Sequence, residues 1–143
     1  MKPTELPLSQ VLGLQEAPAG APHLLELPLG ERTRNHLGTM HAAAQFALAE
    51  AASAAALQRA FPDWEDRVMA VVRGARLKYR RPGTGPLHAW AGMDAAAQAQ
   101  LAADLATRSR AAATVQVELR GADRAVVFVG EFDWFFSRRA DQP

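Results

Sequence analysis

Between Asn35 and Glu50 the chain reads NHLGTMHAAAQFALAE, a polar turn containing a glycine that runs straight into an alanine-rich segment. The first turn of a helix leaves main-chain N–H groups without internal partners, and such donors stabilise the negative charge that develops on a carbonyl oxygen under attack. Ala42, Ala43 and Ala44 are small enough to let a bulky group approach those donors. Asn35 brings a side-chain amide able to hydrogen-bond a carbonyl or a water. Glu50 sits further along, between Ala49, Ala51 and Ala52, where burial would raise its pKa and poise it as a general base or nucleophile. Each residue also has a plain structural use. Asn35 and Gly38 could simply build the turn, His41 could cap or pack, and Glu50 could lie on a solvated helix face. Phe46 and Leu57 fit the helical period of a core better than substrate contacts.

For these groups to act together, a helix must begin just after the turn. Thr39 is the expected N-cap of a helix from about Met40 to Ala60, ended by Phe61-Pro62-Asp63. Alanine favours helix intrinsically and leaves a slim cylinder that other backbone can approach. A first strand is expected at His23 to Leu29, after an extension (residues 1–22) whose four prolines leave room only for a short helix. Four more strands follow. Arg67 to Arg81 is read with Met69, Val71, Ala75, Leu77 and Tyr79 on one face. Leu87 to Asp94 and Ala111 to Arg120 alternate apolar and polar residues. Arg124 to Phe136 carries Phe128, Phe132, Trp134 and Phe136 on one side. Asp94 could cap a short helix reaching about Ala106. Strand, long helix, then four antiparallel strands is an α+β pattern. One helix cannot cover a sheet of five or six strands, so a second subunit is expected over the remainder.

The bulk composition narrows the function classes. A chain of 143 residues suits one domain, expected to span 1–143 with its core at about 23–137. The absence of cysteine excludes disulfides and thiolate catalysis, and suits a cytoplasmic protein. A net charge of +1 argues against a general nucleic-acid binder. No basic-then-apolar leader opens the chain, and no uncharged apolar run reaches the roughly 18 residues of a membrane span. The histidines at 23, 36, 41 and 88 show no ligand spacing on one helix face, so no metal is expected.

The stretch Asn35 to Glu50 resembles the hotdog thioesterase superfamily, in particular the phenylacetate-pathway-type (PaaI-like) thioesterases and the related family DUF4442. The shared pattern is an Asn, a Gly, a His followed by two small residues, and an acid on the helix. The run Leu77-Lys78-Tyr79-Arg80-Arg81-Pro82-Gly83 is similar to the superfamily's strand ending in a Pro-containing turn, and the strand order matches over about residues 23–137. The resemblance implies an antiparallel sheet of five or six strands wrapped around one long helix. It implies an acyl-CoA-type thioesterase in which the N–H of Ala42 or Ala43 polarises the thioester carbonyl. Asn35 would position that carbonyl or the attacking water, and His41 and Gly38 would shape the loop. Glu50, from the partner subunit, would act as base or nucleophile. The sites would lie in a homodimer or a dimer of dimers. This chain has Ala42-Ala43 where glycines are commonest, Glu where Asp is commonest, and neither Ser nor Thr from Arg67 to Leu77. Coenzyme A would arrive as part of the substrate, with no separate cofactor. Arg80, Arg81, Arg138 and Arg139 are candidates for its phosphates, or for an acidic carrier protein. Two rival readings on the same fold are a non-catalytic binder of acyl or other apolar ligands and a hydroxyacyl-thioester dehydratase using His41 with Glu50.

Overall fold

The computed structural model describes residues 1–139; the last four residues of the expected domain lie outside the described residues. Its α-helices and strands are α1 (Pro7–Leu12), β1 (Gln15–Glu16), β2 (Leu25–Leu27), α2 (Ala42–Ala60), β3 (Val68–Tyr79), β4 (Leu87–Gly92), α3 (Ala95–Arg108), β5 (Arg110–Gly121) and β6 (Val126–Arg138), with short 3-10 turns at Pro3–Glu5 and Pro62–Trp64. The strands form one six-stranded sheet in the order β1-β2-β4-β5-β6-β3, with every neighbouring pair antiparallel. The expected first strand is shorter than His23 to Leu29, and β1 adds a two-residue strand that the proline-rich extension did not suggest.

Helix α2 lies against one face of this sheet. Its Ala44, Leu48, Ala49, Ala51 and Ala52 are buried, as are the inward residues Phe128, Phe132 and Phe136 of β6 and Val115 and Leu119 of β5. Slim alanines on the helix and large aromatics on the sheet fill the space between them, the large-against-small complementarity that dense cores require. Helix α3, capped by Asp94 Oδ1 accepting from Ala97 N–H at 2.7 Å, buries Leu101 and Leu105. It is the short helix expected between β4 and β5, extended to Arg108.

Strand β3 corrects the expected face assignment. Val72 pairs with Trp134 and Gly74 with Asp133, so Arg73 is an extra residue, a β-bulge. A one-residue insertion turns every later side chain to the opposite face. Ala70 and Val72 point inward before the bulge, opposite Phe136 and Trp134; Ala75, Leu77 and Tyr79 do so after it, opposite Phe132, Gly130 and Phe128. Met69 and Val71 therefore face outward, away from Leu77 and Tyr79. Strict period-two counting missed this because it allows no extra residue; Arg73-Gly74 was the available cue.

β3 is also an edge strand. It stays exposed along most of its twelve residues, with Met69 46%, Val71 39%, Leu77 36% and Tyr79 42% accessible. A long apolar edge of this kind is a template for pairing with another chain.

Candidate active site

The helix does not start where the sequence suggested. His41, not Thr39, is the N-cap: its Nδ1 accepts the Ala43 N–H at 3.0 Å, and α2 begins at Ala42. A ring nitrogen that accepts is unprotonated, so this contact sets the tautomer with the proton on Nε2. Thr39 belongs instead to the turn. Its N–H donates to Asn35 Oδ1 at 3.1 Å, and Asn35 Nδ2 donates to the Thr39 hydroxyl at 3.0 Å. Asn35 Oδ1 also accepts the Leu37 N–H at 2.9 Å. The side chain of Asn35 thus builds the turn, leaving one amide hydrogen for anything else. Gly38 sits at φ +76°, a left-handed conformation that favours glycine.

Two further main-chain bonds aim the turn at the helix. Thr33 C=O accepts the His41 N–H and Gly83 C=O accepts the Met40 N–H, both at 2.7 Å. Gly83 is needed for close approach: a Cβ there would stand 3.0 Å from Met40 Cβ and 3.3 Å from Leu87 Cδ1. The Pro82-Gly83 turn after β3 therefore holds the helix start in place. Of the two donors expected to face a carbonyl, the Ala43 N–H is taken by His41, while the exposed Ala42 N–H finds no acceptor among the described residues.

The structure adds a residue that the sequence did not single out for chemistry. The Tyr79 hydroxyl donates to Ala42 C=O at 3.0 Å, and burial pushes its pKa upward, so it stays a neutral donor. Nothing in the spacing of residues 42 and 79 announces this contact. The one signal was that the only tyrosine of the chain ends the strand before the Pro-containing turn.

Glu50 lies on the helix face toward β6. One turn before it the Phe46 ring meets Phe132, with centroids 5.5 Å apart; one turn after it Ser53 Oγ accepts from Trp134 Nε1 at 3.0 Å. The Glu50 carboxyl is half-buried and makes no hydrogen bond or ion pair with any described residue. Desolvation raises its pKa above the usual glutamate value. Glu50 and Ala42 are eight residues apart on one helix, about 12 Å along the axis at 1.5 Å per residue. The acid and the free donor of one chain thus stand about two turns apart along the helix.

The four arginines divide into two pairs. Arg80 and Arg81 directly follow Tyr79 and so lie at the helix-start end of β3. Arg138 closes β6 rather than following it; it pairs with Val68, and the Arg139 N–H donates to Arg67 C=O. That is the opposite end of β3, on the order of 36 Å away at about 3.3 Å per residue. The four cannot hold one phosphate group within one chain. Beyond Glu50, a cavity of about 830 Å³ is lined by Ala54, Leu57, Phe61, Trp64, Val68 and Trp134, among others.

The family model described as a domain of unknown function (DUF4442) matches residues 21–136. Among solved structures, one similar chain is a Pseudomonas aeruginosa protein of unknown function described as a probable thioesterase. It is 25% identical, with a TM-score of 0.81, over 96% of this chain and 91% of that one. A thioesterase from Haemophilus influenzae matches at 16% identity and TM-score 0.70, over 94% and 85%. A Bacillus halodurans protein solved with CoA matches at 20% identity and TM-score 0.67, over 90% and 74%. No curated protein matches the sequence. No helix among the described residues is long and apolar enough to cross a membrane.

Proposed function

Because the chain belongs to the DUF4442 family and has the hotdog fold of thioesterase-type proteins, we propose that it hydrolyses acyl-CoA-type thioesters at sites shared between two copies. The observation that carries this reading is the half-buried Glu50 carboxylate, without a partner among the described residues and with its pKa raised. An unpartnered acid in such a place is a poor structural group and a suitable base. Glu50 of one copy would draw a proton from water as the water oxygen bonds the acyl carbon. The resulting oxyanion would be held by the Ala42 N–H of the other copy, and the C–S bond would then break, the thiolate leaving with the proton. A direct attack by Glu50 through an anhydride, later hydrolysed, uses the same atoms. Asn35 contributes its remaining amide hydrogen, His41 and Gly38 set the loop, and Ala43 contributes bulk alone because its N–H is occupied. Tyr79 holds the carbonyl of the Ala42–Ala43 peptide, one unit beyond the donor, and so braces the first turn of α2.

The exposed edge of β3 supports pairing of two copies, since an antiparallel match would cover it and bring the α2 helices of both chains to one seam. Arg80 and Arg81 then sit near the donors and are the better candidates for CoA phosphates. The cavity one turn beyond Glu50, lined by Ala54, Leu57, Phe61 and Trp134 but also by Lys2, Glu5, Glu65, Asp66 and Arg139, offers room for the acyl chain.

A panel of acyl-CoA substrates followed by free-thiol release tests the reading. Turnover that Glu50→Gln abolishes is expected. One observation favours the binder: with the Ala43 N–H occupied, fewer donors remain for an oxyanion. Tight acyl-CoA binding with no thiol release across the panel would establish that alternative.

A further inference from the structure

The outer face of the sheet carries a second group of side chains for which hydrolysis has no use. His23 lies just before β2, Glu26 within it and His88 within β4. Antiparallel register sets Glu26 opposite His88, and the Leu24 N–H donates to Ala89 C=O at 2.8 Å, fixing the backbone beside His23. The inward neighbours Leu25, Leu27, Leu87 and Ala89 are all fully buried, so the three side chains stand on rigid strands. His23 Nε2 is 2.7 Å from Glu26 Oε1, and the two imidazole centroids are 4.6 Å apart. One nitrogen from each histidine and one carboxylate oxygen all lie within 4.8 Å of one another. The His23 and Glu26 side chains are 11% and 24% exposed, open enough to admit an ion and closed enough to shed most water around it.

We propose that His23, Glu26 and His88 form a binding site for a divalent transition-metal ion of the zinc type. Two imidazole nitrogens and one carboxylate oxygen are borderline donors that suit Zn²⁺ or Co²⁺, whereas Mg²⁺ and Ca²⁺ favour all-oxygen sets. A tetrahedral ion at about 2.0–2.1 Å from each donor spaces the donors roughly 3.4 Å apart. The 2.7 Å contact must open and the widest separation must close, each by about an ångström of side-chain rotation. The ion takes the place of the hydrogen between His23 Nε2 and Glu26 Oε1, and water completes the fourth position. The Trp90 ring, 5.3 Å from that of His23, screens one side. Arg120 faces His88 across β4 and β5, but it is paired with Glu118 and lies 4.8 Å over Trp90. Its charge is thus met by a carboxylate of its own. The bound ion would tie the start of β2 to β4.

The site is on the opposite sheet face from α2, so its test is independent of hydrolysis. Protein free of any affinity tag is treated with chelator and titrated with Co²⁺ for visible absorption and with Zn²⁺ by calorimetry. Thermal unfolding is measured with and without Zn²⁺. One ion per chain, a Tm raised by Zn²⁺, and binding at least about tenfold weaker in His23→Ala, His88→Gln and Glu26→Gln are expected. His36→Ala should bind as the parent does. If one variant fails to fold, the other two decide. No binding tighter than about 0.1 mM, or binding unchanged in the three variants, would overturn the site.

Discussion

Asn35 serves both structure and the proposed chemistry, and one substitution separates the two. Asn35→Asp keeps the oxygen that accepts the Leu37 and Thr39 N–H groups and removes the free amide donor; the Nδ2 bond to Thr39 goes as well, and the Thr39 hydroxyl donates to the carboxylate in its place. Turnover is expected to fall at least about tenfold with little change in Tm; parental turnover would assign Asn35 to the turn alone. Glu50 makes a prediction in pH. Its pKa is raised in the folded state, so its proton stabilises the fold most below the unfolded pKa, and that contribution is lost as pH rises through the folded value. At neutral pH the ionised acid therefore costs stability. Glu50→Gln should unfold at a higher temperature than the parent at neutral pH, with the gap closing on acidification, while thiol release drops by about 10²–10⁴-fold. The parent's turnover should lose its acid limb at a pH above the ordinary glutamate range. A Tm of Glu50→Gln equal to or below the parent's would mean that the carboxylate is well solvated. The types and spacing of Asn35, Gly38 and Glu50 were legible in the sequence because they lie on one continuous stretch. The partner of His41 was not, because Thr39 and His41 both suit an N-cap and only the competing bond from Thr39 to Asn35 decides between them.

Among the elements, the longer strands follow from apolar alternation and the two longer helices from alanine content, capping residues and the Phe61-Pro62 stop, and the buried aromatic row of β6 was visible as alternation. What stayed hidden came from contacts distant in sequence or from an inserted residue. The bulge at Arg73 reversed half of β3, and the Tyr79 contact with Ala42 joins residues 37 positions apart. The convergence of His23, Glu26 and His88 likewise depends on the register between β2 and β4, which no local pattern encodes. The edge position of β3 gives a direct expectation. Leu77→Lys places a charge at the exposed edge and should shift sedimentation toward monomer, with thiol release falling in proportion. A monomer with full turnover would remove the need for a second copy. Ala54 tests the cavity beyond Glu50: Ala54→Phe should cut kcat/KM for long acyl chains more than for acetyl, and an equal loss on both would place the acyl chain elsewhere.

At the scale of the whole molecule, the proposed reading asks a second copy to meet α2 along the exposed edge of β3. Composition and element order raise that expectation, since one helix covers one face of a six-stranded sheet. They did not convey which edge remains open, because β3 follows α2 in sequence but pairs at the far side with β6. The central claim is that the acid and the donor acting on one carbonyl come from different chains. Ala42→Pro removes the donor with little strain, since proline is favoured at the first helical position and His41, at φ −61° and ψ 140°, already has the backbone that proline requires of its predecessor. Ala42→Pro alone should lower turnover by about 10²–10³-fold, and Glu50→Gln alone should be comparably poor. The decisive measurement is thiol release by the two variants after they are unfolded together and refolded in equal amounts. Half of the dimers should then be mixed, each with one intact site, restoring about a quarter of parental turnover. If activity after mixing stays at the sum of the separate variants while mixed dimers are shown to form, acid and donor act within one chain and the shared site is wrong.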